Sequence, residues 1–291
     1  MKVSLKDETQ AKPLTKGEKD ALVRLLSDPD PDVYRVIRSK LLGMGSEGRA
    51  WIKQGLESGD QVTRRHSREL LNYLDQQDAD GRFLGFCMRN GESFDLETGI
   101  WLLTLTRYPQ TDIDAYRAKL DSWAEAIRRG LKHDSNPPSV LIAINTHLFG
   151  ELGFRGDNDN YYDPQNSYLN RVLERRLGNP ISLCLIYLFI AKRLDLPVTG
   201  IGMPGHFLCR LQSSAFTIYV DVYREGNFLT HRECVEFLKK SGFGYDKEFL
   251  APASSRRILL RVCSNLHQIY NKAGQKKGME RLQHYLVALA N

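Results

Sequence analysis

The chain has 291 residues and a formal net charge of +6, and 42% of its residues are hydrophobic. This length is enough for roughly two or three compact units with cores of their own. The basic residues are interleaved with acidic ones and form no stripe with aromatic residues between them, which excludes a nucleic-acid partner and indicates solvated surfaces.

The cysteines and the hydropathy of the chain indicate its cellular location and whether it binds a metal or a membrane. The five cysteines are odd in number and scattered, which is typical of reduced thiols in a cytoplasm. There is no CxxC pair and no cluster of His and Cys, so we expect neither a metal nor another cofactor. The sequence before Leu14 lacks the apolar run of an export signal, and no later run is long enough to cross a bilayer. A cytoplasmic protein without a membrane partner is predicted.

The N-terminal third divides into two parts. Residues 1–17 are polar and mixed in charge, and we expect them to be disordered. In residues 18–92 one apolar and basic pattern occurs twice, first as Val33, Arg35, Leu41 and Leu42 and again as Val62, Arg64, Leu70 and Leu71. An acidic turn precedes each copy, at residues 28–32 and 58–60. Two helical hairpins that resemble HEAT-like repeats are predicted, with coincidental helix spacing as the alternative.

Residues 93–250 are predicted to form the core domain. Apolar residues at helical spacing indicate helices in 95–129, 140–149 and 164–177, with a linker at 133–138. The polar segment 153–163 is long for a loop in a compact domain, which suggests the edge of a cleft. Its candidate binding residues are Asn158, Asn160, Tyr161 and Tyr162, although capping and packing would account for them equally well.

An apolar helix is predicted directly after Asn179. This asparagine can cap the helix, Pro180 suits the first helical position, and the following residues up to Ala191 have no polar face. The helix should therefore be buried on all sides. Its N-terminal N–H groups could hold an oxyanion or a ligand, which makes Asn179 a candidate binding residue.

A β-hairpin is predicted over residues 206–221, because apolar and polar residues alternate on both sides of a turn at 212–215. If Leu211 pairs with Phe216, the same register sets His206 opposite Asp221 on one face. An imidazole held by a carboxylate is the base and the orienting group of a catalytic triad. A structural His–Asp pair is the alternative.

The C-terminal region completes the predicted architecture. A short helix should cover residues 231–240, and a helix pair should cover 256–273 and 276–290 around Gly274. The pair, in a segment taken as 251–291, resembles a tetratricopeptide unit. We expect it to be a scaffold.

Four separated blocks, found in order, carry a resemblance to a known family. They are residues 148–154 (LFGELGF), 161–170 (YYDPQNSYLN), 176–183 (RLGNPISL) and 203–207 (MPGHF). The chain from about Asp95 to Ala290 thereby resembles the transglutaminase-like superfamily, and more closely its bacterial SirB-type branch. The resemblance implies an α+β, papain-like core in which a buried central helix packs against a small antiparallel sheet, flanked by helical-repeat segments.

The resemblance leaves the nucleophile open. The position at which transglutaminase-like enzymes carry their catalytic cysteine, counted back from the turn at Pro197, falls on Pro180, which cannot attack a substrate. Ser182 is the nearest hydroxyl, and a helix-start serine that bonds its own backbone is the alternative for it. Cys184 is the nearest thiol, but two residues along a helix turn it away from Ser182 and toward the core.

Two functions therefore stay open. The first is a non-catalytic or regulatory module that binds a protein or a small ligand in the cleft near His206. The second is an acyl-transfer enzyme, an amidase, protease or transamidase, in which Ser182 attacks, His206 is the general base and Asp221 fixes its tautomer. The proline at the expected nucleophile position favours the first.

Overall fold

The computed structural model describes residues 15–89 and 91–290, which form a helix-rich protein with two small sheets. The α+β class predicted from the sequence is confirmed at this level. The chain divides into two compact units between Asp78 and Ala79. Residues 1–14, most of the segment predicted to be disordered, lie outside the described residues. Thr15 already caps the first helix.

The first unit is helical. Its elements are α1 (Lys16–Arg24), α2 (Pro31–Gly43), α3 (Gly45–Gly55) and the first part of α4 (Gln61–Arg89). Both acidic turns begin helices, because Asp30 accepts a hydrogen bond from the N–H of Asp32 and Asp60 accepts one from the N–H of Thr63. The core of this unit is formed by Leu22, Leu26, Ile37, Leu41, Trp51, Ile52 and Leu70. The likeness to HEAT repeats stays a prediction.

The second unit begins inside α4. Phe83 and Cys87, on the last turns of this helix, are fully buried in the second unit's core. The boundary predicted from the sequence is residue 92 instead, because no proline or turn cluster interrupts the chain at Asp78.

Helices surround the sheets of the second unit. The helices are α5 (Leu96–Leu105), α6 (Ile113–Gly130), α7 (Pro137–Asn145), α8 (Leu169–Arg175), α9 (Pro180–Arg193), α10 (His231–Lys240), α11 (Ser255–Lys272) and α12 (Lys276–Ala290). The strands are β1 (Arg155–Gly156), β2 (Leu177–Gly178), β3 (Val198–Ile201), β4 (Leu208–Gln212), β5 (Thr217–Asp221) and β6 (Asn227–Leu229). Strands β1 and β2 are parallel, whereas β3 to β6 form an antiparallel sheet in chain order.

Helix α9 lies at the centre of the second unit. From Pro180 to Ala191 its residues are buried except Leu188, which is partly buried. The helix packs against α6, α7 and α8 as well as against β3 and β4. It is the enclosed apolar helix that the sequence predicts. Helix α10 covers the other face of the antiparallel sheet, where Cys234 and Leu238 pack with Ile201, Leu208 and Tyr219.

Two predicted helices differ in the structure from their apolar patterns. The segment predicted as one helix over 164–177 contains a 3₁₀ turn at Pro164–Asn166 and then α8. Asp163 caps the first turn, and Arg176 ends α8 in the left-handed region. The helix predicted over 140–149 is α7, which continues after Asn145 as a π-helical turn at Thr146–Glu151.

The helix pair at the C-terminus is joined to the rest of the second unit by a buried arginine. Helices α11 and α12 meet around Gly274, whose φ of +65° suits glycine. The guanidinium of Arg256 donates hydrogen bonds to the carbonyl oxygens of Leu289, Ala288 and Cys87, at 2.8, 3.0 and 3.1 Å. It therefore satisfies carbonyls at the ends of α12 and α4. The likeness to a tetratricopeptide unit stays a prediction.

Across residues 15–89 and 91–290, none of the helices combines the length and the apolar character that a membrane span requires.

The enclosed position of α9 gives a direct stability test. We expect Ile186→Ala to lower the free energy of unfolding by about 2–5 kcal/mol, because the isoleucine side chain is 1% exposed and leaves a cavity. Ile142→Ala on α7, where the side chain is 55% exposed, is the matched control and should cost less than about 1 kcal/mol. Urea denaturation of both variants measures the difference. Equal losses would contradict a central position for α9.

Candidate functional site

His206 lies in a tight turn just before β4. Gly205 has a φ of +73°, a conformation that glycine adopts without strain, and the N–H of His206 donates to the carbonyl of Met203 at 3.2 Å. Arg261 on α11 donates from Nη2 to the same carbonyl at 3.3 Å. The turn at residues 203–207 is thus held from within and from α11.

The register predicted for the hairpin is wrong by two residues. Leu211 pairs with Ile218 rather than with Phe216, which belongs to the turn. The side chain of Ser213 causes this difference, because its Oγ accepts hydrogen bonds from the N–H groups of Ala215 and Phe216 and lengthens the turn. A shift of two residues keeps every side chain on its predicted face.

His206 and Asp221 nevertheless meet as the sequence predicts. His206 Nε2 lies 2.9 Å from Asp221 Oδ1, and both side chains are largely buried. Asp221 Oδ1 also accepts a hydrogen bond from the N–H of Arg224 at 3.3 Å, which fixes the carboxylate. Because a carboxylate accepts the proton of Nε2, Nδ1 of the neutral ring carries the lone pair.

Ser182 serves the N-terminus of α9 and does not meet His206. Asn179 Oδ1 accepts a hydrogen bond from the N–H of Ser182, and Ser182 Oγ accepts one from the N–H of Asn179, both at 3.0 Å. The hydroxyl also donates to the carbonyl of Asn179 at 3.1 Å, and Ser182 is 1% exposed. A Cβ at Gly178 would lie 2.6 Å from Ser182 Oγ, so this close packing requires glycine. Within the described residues, Ser182 makes no hydrogen bond to His206.

Cys184 is enclosed in the core on the same helix. Its Sγ donates to the carbonyl of Phe207 at 3.5 Å, and the residue is fully buried. Burial raises the pKa of the Cys184 thiol well above its ordinary value, and the neighbouring Cys209 thiol adds to this rise. A buried thiol of this kind is a poor nucleophile. The side chain faces inward, as the sequence predicts.

A cavity of about 190 Å³, which we call the His206 cleft, opens beside the imidazole. Its walls are formed by residues 161–162, by the start of α9 at 179–181, by the turn at 205–207 and by one face of α11. Pro180 and His206 both line it, whereas Ser182 and Cys184 do not. The first residue of α9, where the sequence has proline, therefore faces the same space as the imidazole.

Three of the predicted binding residues reach the cleft and two do not. Tyr161, Tyr162 and Asn179 line it. Asn158 instead accepts a hydrogen bond from the hydroxyl of Tyr223 at 2.9 Å, and the carbonyl of Asn160 accepts one from Asn166 within the loop.

The cleft also contains polar residues of α11 that the sequence analysis did not select. Arg261, Asn265 and Gln268 line the cleft. They recur at the spacing of one helical face, so this polar stripe was the available signal. The interpretation of the helix pair as a scaffold concealed it.

A buried carboxylate organises the loop that carries Tyr161 and Tyr162. Asp157 accepts hydrogen bonds from the N–H of Asn160 at 2.9 Å, from Asn166 Nδ2 at 3.1 Å and from Arg175 Nη2 at 3.2 Å. Burial alone would raise the pKa of Asp157, but these donors outweigh burial and lower it below the ordinary value of 3.8. The ionised carboxylate is therefore part of the folded loop.

No group of three or more His, Cys, Asp or Glu side chains suited to a metal ion occurs among the residues that the structure describes. The described cysteines form no disulfide.

Comparisons with known proteins place the second unit in a family. Residues 114–264, just over half of the chain, match the family model described as the transglutaminase-like superfamily. A UPF0162 protein of Xylella fastidiosa is 39% identical over 185 residues, which are 62% of this chain and 66% of that protein. The chain thus spans just under two thirds of that relative. Human F-box only protein 21 is 28% identical over 74% of this chain and 38% of its own length. No solved structure gives a significant match.

The Asp157 network predicts a pH-dependent stability difference. We expect Asp157→Asn to lower the free energy of unfolding by about 1–3 kcal/mol at neutral pH, because an amide cannot accept from Arg175 and Asn166 as a carboxylate does. Because the pKa of Asp157 is lower in the folded state, its ionised carboxylate contributes its full stabilisation above pH 3.8. This contribution is lost as the pH falls through the folded-state pKa of Asp157. The deficit of the variant should therefore shrink only in that acidic range.

Chemical denaturation of wild type and Asp157→Asn across this pH range measures the deficit. The exposed neighbour Asp159 provides the control, since Asp159→Asn should change stability by less than about 0.5 kcal/mol. A deficit that persists unchanged at acidic pH would contradict the role of the ionised carboxylate.

The His206–Asp221 hydrogen bond predicts one ring tautomer. We expect the neutral ring of His206 to carry its proton on Nε2 in the wild type, and Asp221→Ala to release this preference because the acceptor is gone. Nitrogen-15 NMR of the imidazole distinguishes the two tautomers, with His267 on α11 as the internal control. A proton on Nδ1 in the wild type would exclude the arrangement.

Proposed function

The chain belongs to the transglutaminase-like superfamily, and we propose that it is a non-catalytic binding module of the SirB-type branch. In this proposal a protein segment or a small ligand occupies the His206 cleft. The cytoplasmic location and the regulatory role expected from the sequence are part of the same proposal, and the unpaired thiols support the location.

The observation that carries the proposal is that Pro180, at the expected position of the nucleophile, lines the same cleft as His206. The imidazole is oriented by Asp221 as a general base would be, but Pro180, the first helix residue beside the same cleft, has no nucleophilic atom. Ser182 and Cys184, the hydroxyl and the thiol that the sequence analysis weighed as nucleophiles, are buried and bonded elsewhere. An oriented imidazole whose candidate serine and cysteine are buried outside the cleft supports recognition rather than acyl transfer.

The lining of the cleft supports binding in a second way. Ligand sites combine an apolar surface with a few converging polar groups. Here Ile181, Phe207 and Ile269 provide apolar surface, while Arg261 and Gln268 are two of the polar groups beside it.

The relatives are compatible with a module. The segment shared with human F-box only protein 21 is 38% of that protein, so a similar region occurs within a longer chain. A domain that recurs in chains of different length supports a role in binding, which it could perform in either setting.

An acyl-transfer enzyme using Ser182, His206 and Asp221 is the second candidate, and the 2.9 Å His206–Asp221 contact is the observation that favours it. Ser182 would first have to leave the helix cap. Loss of a cap of this kind costs about 0.5–2 kcal/mol.

Covalent labelling separates the two candidates. For the binding module we expect no adduct on the folded protein with a fluorophosphonate, which captures activated serines, or with iodoacetamide. The physical reason is that Ser182 is capped and all five cysteines are buried. Intact-mass spectrometry measures both reactions, and alkylation of all five cysteines in guanidinium is the positive control.

The decisive outcome is a stoichiometric fluorophosphonate adduct on Ser182. If it forms in the wild type and disappears in His206→Ala, the serine is activated by the imidazole and the protein is an enzyme. The variant Ser122→Ala, at an exposed position of α6, is the control and should be labelled as the wild type is in either case.

A further inference from the structure

A second cavity, of about 530 Å³, lies on the other side of the turn at residues 203–207. It shares two wall residues, Phe207 and Arg261, with the His206 cleft. Arg261 also holds the turn through its bond to the carbonyl of Met203. The cleft and the second cavity are therefore neighbours, and we call the two together the groove.

The groove follows one face of α11. Arg257 and Ser264 line the second cavity, Arg261 lines both, and Gln268 lines the cleft. From Arg257 to Gln268 the helix rises by roughly 16 Å. This length corresponds to about five residues of extended polypeptide, which exceeds what a single side chain in the cleft would use.

The charge of the groove favours an acidic ligand. Neither Arg257 nor Arg261 forms a salt bridge with any residue in the described ranges. Glu248 lines the second cavity, and no carboxylate lines the cleft among the described residues. The groove thus presents two arginines against one glutamate.

The floor beside these arginines is apolar. Phe207, Phe249 and Leu260 line the second cavity together with small residues. An extended strand places successive side chains on opposite sides, so a segment that alternates acidic and apolar residues could bury one set and present the other to the arginines. A free phosphate or a single small anion would leave the apolar floor uncovered.

We propose that the groove binds an extended acidic segment of a partner protein, with Arg257 and Arg261 as the carboxylate receptors. This inference rests on the proposed binding function and extends it beyond the His206 cleft. One side chain of the segment enters the cleft, and the following residues cross Arg261 into the second cavity.

Fluorescence anisotropy with labelled peptides tests the proposal. The probe is an extended peptide in which glutamate alternates with leucine and serine, and its counterparts carry glutamine or lysine in place of glutamate. We expect the glutamate peptide to bind most tightly and Arg257→Glu to weaken it about tenfold, because an attractive charge becomes repulsive. Arg257 is exposed near the start of α11, where glutamate is favourable, so the variant should fold.

The matched control is Lys277→Glu, which makes the same change of charge at an exposed position of α12. It should alter the affinity by less than about twofold. Equal binding of the glutamate and glutamine peptides, equal effects of Arg257→Glu and Lys277→Glu, or no binding of any peptide would overturn the proposal. Tighter binding of single-stranded oligothymidine than of the glutamate peptide would also overturn it and indicate a nucleic acid.

The outcomes distinguish failure of the acidic-segment proposal from failure of the proposed binding function. If the glutamate peptide binds in a way that His206→Ala weakens but Arg257→Glu does not, the cleft alone is the site and only the extension is wrong. If no peptide binds and Ser182 is labelled in a His206-dependent manner, the binding function itself is wrong.

Discussion

The buried N-terminus of α9 is the constraint on which the site depends. Helix termini expose N–H groups without partners inside the helix, and here the residues that carry them have little exposed surface. Pro180 removes one such donor, and the reciprocal bonds between Asn179 and Ser182 satisfy two more. This solution uses the serine for structure and leaves an inert residue, Pro180, in the cleft with His206. The stability of the central helix and the absence of a nucleophile where this helix meets the cleft thus have one origin.

The rest of the cleft is assembled from segments that are distant in the sequence. The turn at residues 203–207 supplies His206, the loop held by Asp157 supplies the two tyrosines, and α11 supplies the amides and Arg261. Arg261 contacts the turn directly, which connects the helix pair to the catalytic-like His–Asp arrangement. The helix pair is therefore part of the candidate site as well as a support for the core.

The sequence predicts the superfamily, the buried helix and the meeting of His206 with Asp221, because each depends on local patterns or on short spacings. It does not predict the hairpin register, since the bonds of Ser213 to the following backbone depend on how the turn closes. The division inside α4 is also concealed, because a continuous helix carries no break in its pattern. The contribution of α11 to the cleft is not visible in the sequence, because only the folded chain brings residues 261–268 beside residue 206. The repeat-like regions and the roles of the site residues are beyond what these patterns establish.

Ser182 is part of the helix cap and also the candidate nucleophile, which has a consequence for genetics. A Ser182→Ala allele removes a hydroxyl that a catalytic reading would call essential, but it also removes both bonds that this hydroxyl makes to Asn179. A loss-of-function phenotype of that allele alone would follow from reduced abundance of a destabilised protein as well as from loss of catalysis. An allele series that includes Ser182→Asp keeps a side-chain acceptor for the Asn179 N–H and discards the nucleophilic hydroxyl. Rescue by aspartate would assign the phenotype to the helix cap.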